Sequence, residues 1–166
     1  METESKETAR IMRIQSKAFR DGDRIPDRHV RDGDDLSPPL VIEDLPEEAT
    51  SVALIVDDPD APGKTWVHWL IWGIPADAPE LREGVPTGGV LESMGGARQG
   101  RNDYGGVGYG GPQPPRGHGV HHYRFTAYAL REHVDLDAGA GREALEAEME
   151  GRTVATARLT GTFERT

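Results

Sequence analysis

Asp57, Asp58 and Asp60 crowd into the turn Asp57-Asp58-Pro59-Asp60-Ala61-Pro62-Gly63, and His68 follows shortly after it. Residues two apart in an extended segment point the same way, so Asp58 and Asp60, flanking Pro59, are expected to face together. Like charges so placed repel, which raises the pKa of at least one unless cations lie close. The candidate cations are His68, His118, His121 and His122. In a strand opening at Val120, His121 and Tyr123 share a face and His122 takes the other. Carboxylates that orient imidazoles, with imidazole and phenol donors turned inward, can hold an anion. The same two Asp and two His, if they converged on a divalent metal, could activate water for phosphoester hydrolysis. Plainer readings stand beside these. Asp-rich turns bend and cap backbone, and a lone strand histidine is commonly a hydrogen-bonded interior residue. The functional reading rests on all the parts appearing together, each at a strand–loop junction.

The elements that must position these groups are mostly strands. Residues 52–56 form a short apolar run rich in β-branched side chains, read as a strand buried on both faces. Residues 65–74 form a second, and simple alternation puts Trp66, His68, Leu70 and Trp72 on one face and Val67, Trp69 and Ile71 on the other. Residues 11–19 suit an edge strand. Residues 40–42, entered through Ser37-Pro38-Pro39, suit an edge or a ligand-facing loop, because proline cannot donate to a sheet ladder. Residues 76–89 show little pattern. The glycine-dense residues 91–111 read as a shaped loop, continued by the Pro112–Gly119 sequence PQPPRGHG. Strand character returns over residues 120–130, a short helix is expected over 142–150 with Gly151 as its stop, and Thr153–Phe163 closes as a strand. Many short strands with turns between them favour an antiparallel β-sandwich with a minor helical part.

The totals narrow the function classes. At 166 residues the chain suits a single domain, 1–166, with residues 1–9 polar and frayed. A formal charge of −10 argues against nucleic-acid binding and against attraction to anionic membranes. Lysine occurs only at Lys6, Lys17 and Lys64. An acid-rich, lysine-poor surface stays hydrated in a high-salt cytoplasm, though an arginine-using genome with ordinary acidic bias gives the same counts. With no cysteine there are no disulfides, zinc–thiolate sites or thiol nucleophiles. No apolar run reaches a membrane span and METESKETAR lacks a signal-peptide pattern, so a cytoplasmic location is expected. The glycine-rich run lacks the Gly-Lys-Ser/Thr of a phosphate loop, and no Gly-x-Ser-x-Gly elbow marks a serine hydrolase.

The DDPDAP turn, the Trp66-Val67-His68-Trp69 strand and the run GYGGPQPPRGHGVHHYRFTAYAL together resemble the phosphatidylethanolamine-binding protein family, in its bacterial and archaeal Raf-kinase-inhibitor-like branch. SPPL at residues 37–40 and GRNDYG at residues 100–105 fit the same branch, and the likeness runs from about Phe19 to the end. The resemblance implies an antiparallel β-sandwich with a small anion-accepting pocket. Its pocket residues fall on Asp58, Asp60, Trp66, His68, Tyr109, Pro114, His121 and Tyr123. Gln113, His118 and His122 depart from the common pattern. The long C-terminal helix of animal members is missing, so kinase regulation carries over poorly. The function implied is non-enzymatic binding of a phosphate-bearing or other small anionic ligand, without a cofactor or metal. Modulation of a kinase or serine protease, with residues 76–89 as an inhibitory loop, and a homodimer are also within what the resemblance implies. The paired carboxylates are expected to favour cationic histidines, with backbone N–H groups of the glycine-proline loop forming an anion nest. Phosphate-ester binding would then strengthen as pH falls through about 6.5, the ordinary histidine value.

Overall fold

A computed structural model describes residues 11–166, so the fraying expected of residues 1–9 lies outside the described residues. The described elements in chain order are β1 (Arg13–Gln15), β2 (Leu40–Glu43), β3 (Ser51–Asp58), β4 (Trp66–Pro75), β5 (Glu80–Leu81), β6 (Val90–Leu91), β7 (Ala97–Gln99), β8 (His121–Leu130), the helix α1 (Arg142–Met149) and β9 (Thr153–Phe163). They form a three-stranded sheet, β1-β2-β5, and a six-stranded sheet, β6-β7-β4-β3-β8-β9. Every pairing between these described strands is antiparallel.

β3 is apolar along most of its length because both its faces are covered. Val52, Leu54 and Val56 join Ile14, Leu40, Ile42 and Leu81 of the small sheet in one core. Ala53 and Ile55 face the other way, into a second core with Leu145 and Met149 of α1. The described residues therefore form the mainly β antiparallel sandwich with one short α-helix that the pattern of strands implied. At the end of β3 the buried helix-side face meets a charge. Asp57 is buried, yet it accepts hydrogen bonds from Arg124 Nε (2.8 Å), Arg124 Nη2 (2.9 Å) and Arg142 Nη1 (2.8 Å). Arg142 is the first residue of α1, so this carboxylate ties the helix to the sheet.

Three expectations change. β2 is the central strand of its sheet, not an edge; Pro38 and Pro39 lie just before it and remove no ladder bond. The stretch 91–111 is not all loop, since Ala97–Gln99 pairs with both β4 and β6. β4 also breaks the simple alternation. Val56 pairs with Trp69, but the next residue of β3, Asp57, pairs with Val67. His68 is the extra residue of a β-bulge, which shifts the side-chain pattern by one. Leu70 and Trp72 consequently join Val67 in the helix-side core, while Trp69 and Ile71 join the sheet-side core. His68 does not share a face with Leu70 and Trp72; it turns toward Tyr123, whose ring lies 5.2 Å away and whose side chain belongs to the sheet-side core.

Candidate functional site

The ends of β3, β4 and β8 meet beside the proline-rich segment before β8, and between them lies a cleft of about 340 Å3. Asp58 closes β3 and pairs in register with Trp66 at the start of β4. The bulge adds His68, and β8 supplies His121 and Tyr123. Pro114 and Pro115 form one wall, Ala61 and Pro62 of the acidic turn another, and Tyr104 and Gln113 complete the lining. Six of the eight residues expected at a site thus border one cleft: Asp58, Trp66, His68, Pro114, His121 and Tyr123.

Asp60 and Tyr109 are not brought to it. Asp58 and Asp60 do not face together: Asp58 Oδ1 accepts the Asp60 N–H at 2.8 Å, which curls the turn and sends Asp60 outward. There Asp60 Oδ2 accepts both the backbone N–H and the Nδ1–H of the exposed His122, each at 2.8 Å. Burial alone would raise the Asp60 pKa, but these His122 hydrogen bonds hold it below the usual carboxylate value. Tyr109 is buried behind the cleft, its hydroxyl donating to the His29 carbonyl at 2.7 Å and its ring edge-on to Trp69. Among the described residues no group of three His, Asp or Glu side chains could hold a metal ion.

The hydrogen-bond partners decide what the lining can offer. Asp58 Oδ2 accepts His121 Nδ1–H at 2.6 Å, and both side chains are almost sealed. His121 Nε2 lies 2.6 Å from Nδ1 of His118, an exposed residue on the turn before β8, so the two rings share one hydrogen. Both nitrogens of His121 are therefore engaged within the protein. His68 donates Nδ1–H to the Gly110 carbonyl at 2.7 Å, and Gly110 N–H donates back to the His68 carbonyl at 2.9 Å. Gly111 N–H is also taken, by Asp35 Oδ1 at 2.7 Å, and in the glycine-proline loop where a nest was expected Gly117 N–H and His118 N–H donate to the Arg165 and Pro115 carbonyls at 2.9 and 3.2 Å. Among the side chains lining the cleft, the buried donors with no partner among the described residues are the Tyr123 hydroxyl and the Trp66 indole N–H.

Tyr104 escaped sequence reasoning. It sits in the glycine-rich stretch with no periodicity around it, yet its ring stands edge-on to both Trp66 (5.5 Å) and His68 (5.7 Å). Its hydroxyl donates to the Gly111 carbonyl at 2.8 Å, and the Arg31 guanidinium stacks on it at 3.8 Å. The one local hint was its place among glycines that permit close approach: a Cβ on Gly110 would lie 2.5 Å from the Tyr104 ring.

The expectation of cationic histidines is also corrected for His68. Burial pushes its pKa below the ordinary value, and the Gly110 hydrogen bond and the Asp58, Asp103 and Asp57 carboxylates offset this only in part. His29, fully buried in the loop after β1, is lowered by burial in the same way despite its bond to the Leu36 carbonyl. A histidine whose folded pKa is depressed binds fewer protons folded than unfolded once pH drops below the unfolded value of 6.5. Stability is then full above that value and is lost as pH falls from it toward the folded pKa, by up to about 1.4 kcal/mol per pH unit for each group. Urea unfolding at pH 7.5, 6.5 and 5.5 is expected to show this decline, with a shallower slope in His68→Gln; a flat or rising profile would contradict it. Asp60 enters only below its own unfolded value of 3.8, outside this window.

Comparison with known proteins bears on the whole described chain. The family model described as phosphatidylethanolamine-binding protein matches residues 15–164. A UPF0098 protein of Pyrococcus abyssi is 47% identical over 150 residues, covering 90% of this chain and 84% of that one. The crystal structure of CT736 from Chlamydia trachomatis, a phosphatidylethanolamine-binding protein homologue, superposes with a TM-score of 0.84 at 36% identity, covering 95% of this chain and 99% of the other. YbcL of Escherichia coli, described as a member of the mammalian PEBP family, gives 0.84 at 31% identity, covering 93% and 99%.

Proposed function

Since this chain belongs to the phosphatidylethanolamine-binding protein family, we propose that it is a non-enzymatic binding protein whose cleft takes a phosphate-bearing or other small anionic ligand. One observation carries the reading. Two buried donor atoms, Tyr123 O–H and Trp66 N–H, have no acceptor among the described residues and belong to residues that line the cleft containing His68 and the Asp58–His121 pair. A buried donor without a partner costs about 1–3 kcal/mol, which an oxygen-rich ligand relieves. The walls of Ala61, Pro62, Trp66, Tyr104, Pro114 and Pro115 suit an organic substituent on that anion.

The reading makes Tyr123 a donor and predicts it to stay one. Burial first, then the Asp58 carboxylate and Tyr104, raise its pKa far above the ordinary phenol value, so it keeps its hydrogen throughout the neutral range. Calorimetric titration with phosphorylethanolamine is expected to give saturable heat for the wild type. Tyr123→Phe should weaken the affinity by roughly tenfold, the worth of one hydrogen bond to a charged group. Equal affinities for the two proteins, or no heat with the wild type, would defeat the proposal.

A further inference from the structure

Resting on the reading of the cleft as an anion site, we propose that His68 selects a ligand carrying its own acidic hydrogen: a singly protonated phosphate monoester, in preference to sulfate or a phosphate diester. The geometry fixes the tautomer. A carbonyl can only accept, so the 2.7 Å contact with Gly110 places the ring hydrogen on Nδ1. The neutral ring then carries a lone pair on Nε2 that takes no hydrogen bond from another described residue, and the residue lines the cleft. Tyr104 and Tyr123 pack edge-on at 5.7 and 5.2 Å on the imidazole, so a flip would break the Gly110 bond inside a closely packed setting.

The groups around this ring come from every element packed on it. Asp57 and Asp58 lie at the end of β3, Asp103 and Tyr104 in the loop after β7, and Tyr123 on β8. Burial outweighs the Gly110 hydrogen bond and the three carboxylates and lowers the imidazole pKa, which favours the neutral ring at pH 7. Asp58 is already an acceptor twice over, toward Asp60 N–H and His121. The residues lining the cleft therefore combine a lone pair at His68 with unpartnered hydrogens on Tyr123 and Trp66. A monoester in its monoanionic form matches both: its one P–O–H donates to Nε2, and its two remaining oxygens accept. Sulfate and diesters have no hydrogen at neutral pH. They set an oxygen lone pair against Nε2, or must force a proton onto a ring whose pKa burial lowers. His121 offers no relief, since both its nitrogens are engaged. Sites built around a fixed hydrogen-bond pattern discriminate strongly against analogues that lack the matching group.

The test titrates the full chain with phosphorylethanolamine, an alkyl phosphonate, sulfate and glycerophosphorylethanolamine between pH 5.5 and 8. The monoester is expected to bind at least about tenfold more tightly than sulfate or the diester near pH 6, where its second proton titrates. Its affinity should decline above that point, and the phosphonate, which keeps its second proton to higher pH, should hold its affinity correspondingly further. His68→Gln, whose amide can either donate or accept, should bring the monoester-to-sulfate ratio toward one. Sulfate or diester binding within twofold of the monoester, or a pH midpoint that ignores which ligand is used, overturns the selectivity and leaves the anion-binding reading standing. No binding by any of the four overturns both. Should His68→Gln fail to fold, the wild-type series decides alone.

Discussion

Asp57→Ala should lower the unfolding free energy by about 3–5 kcal/mol, the usual cost of removing one partner from a buried ion pair. The carboxylate is 5% exposed and accepts three hydrogen bonds from two guanidinium groups that are themselves 29% and 27% exposed. Its loss strips Arg124 of its carboxylate partner and leaves Arg142 only the more exposed Glu146, at 3.2 Å, across a half-buried gap. For a chain of 166 residues this corresponds to a fall in Tm of roughly 10 °C. Arg142→Met should cost much less, because Arg124 keeps both its bonds to Asp57. Denaturant unfolding of the two variants separates the cases, and a loss below about 1 kcal/mol for Asp57→Ala would show that the cluster is not holding α1 to the sheet.

The second large effect concerns Asp58. Its two oxygens accept from different donors, Asp60 N–H at 2.8 Å and His121 Nδ1–H at 2.6 Å. Asp58→Asn has nearly the same shape but only one acceptor oxygen, so one of those donors must face an amide N–H2. A stability loss of about 1–3 kcal/mol is expected from the stranded donor. Phosphorylethanolamine affinity should also fall, because Asp58 lines the cleft and fixes the ring of His121 beside it. Asp60→Asn is the contrast. Asp60 and His122 are 41% and 54% exposed, and a pair in that setting moves stability by less than about 1 kcal/mol. If calorimetry and urea unfolding rank the two substitutions equally, the distinction drawn between the inner and outer aspartate is wrong.

Both aspartates looked equivalent in the sequence, and the reason they are not explains which features were legible there. Local signals carried the regular elements. Thr153–Phe163 is a strand of the extent its alternation implied, and the helix runs Arg142–Met149 before Gly151, whose φ of 78° is the left-handed stop expected of that position. The motifs also fall together at one end of the sandwich, where six of the eight expected residues border one cleft. What depended on distant partners was not legible. Asp60 is turned outward by a bond to its neighbour's carboxylate, and that rotation has no compositional mark. The bulge at His68 is set by pairing with β3, so strict alternation assigned the ring to the wrong face. β7 is three residues among glycines, a strand only because β4 and β6 flank it. The protonation of His68 follows from burial that no count of nearby aspartates reveals.

The three tryptophans are divided by the fold in a way that gives the cleft an optical signature. Trp69 and Trp72 are sealed at 0% and 1% exposure, while Trp66 is half-buried on the lining, edge-on to Tyr104. Emission from the two interior indoles is shielded from a collisional quencher such as acrylamide, so the quenchable fraction of the fluorescence belongs to the one indole at the site. Occupancy of the cleft is thereby written into the intrinsic light output of the chain, and no dye or label need be attached to follow it.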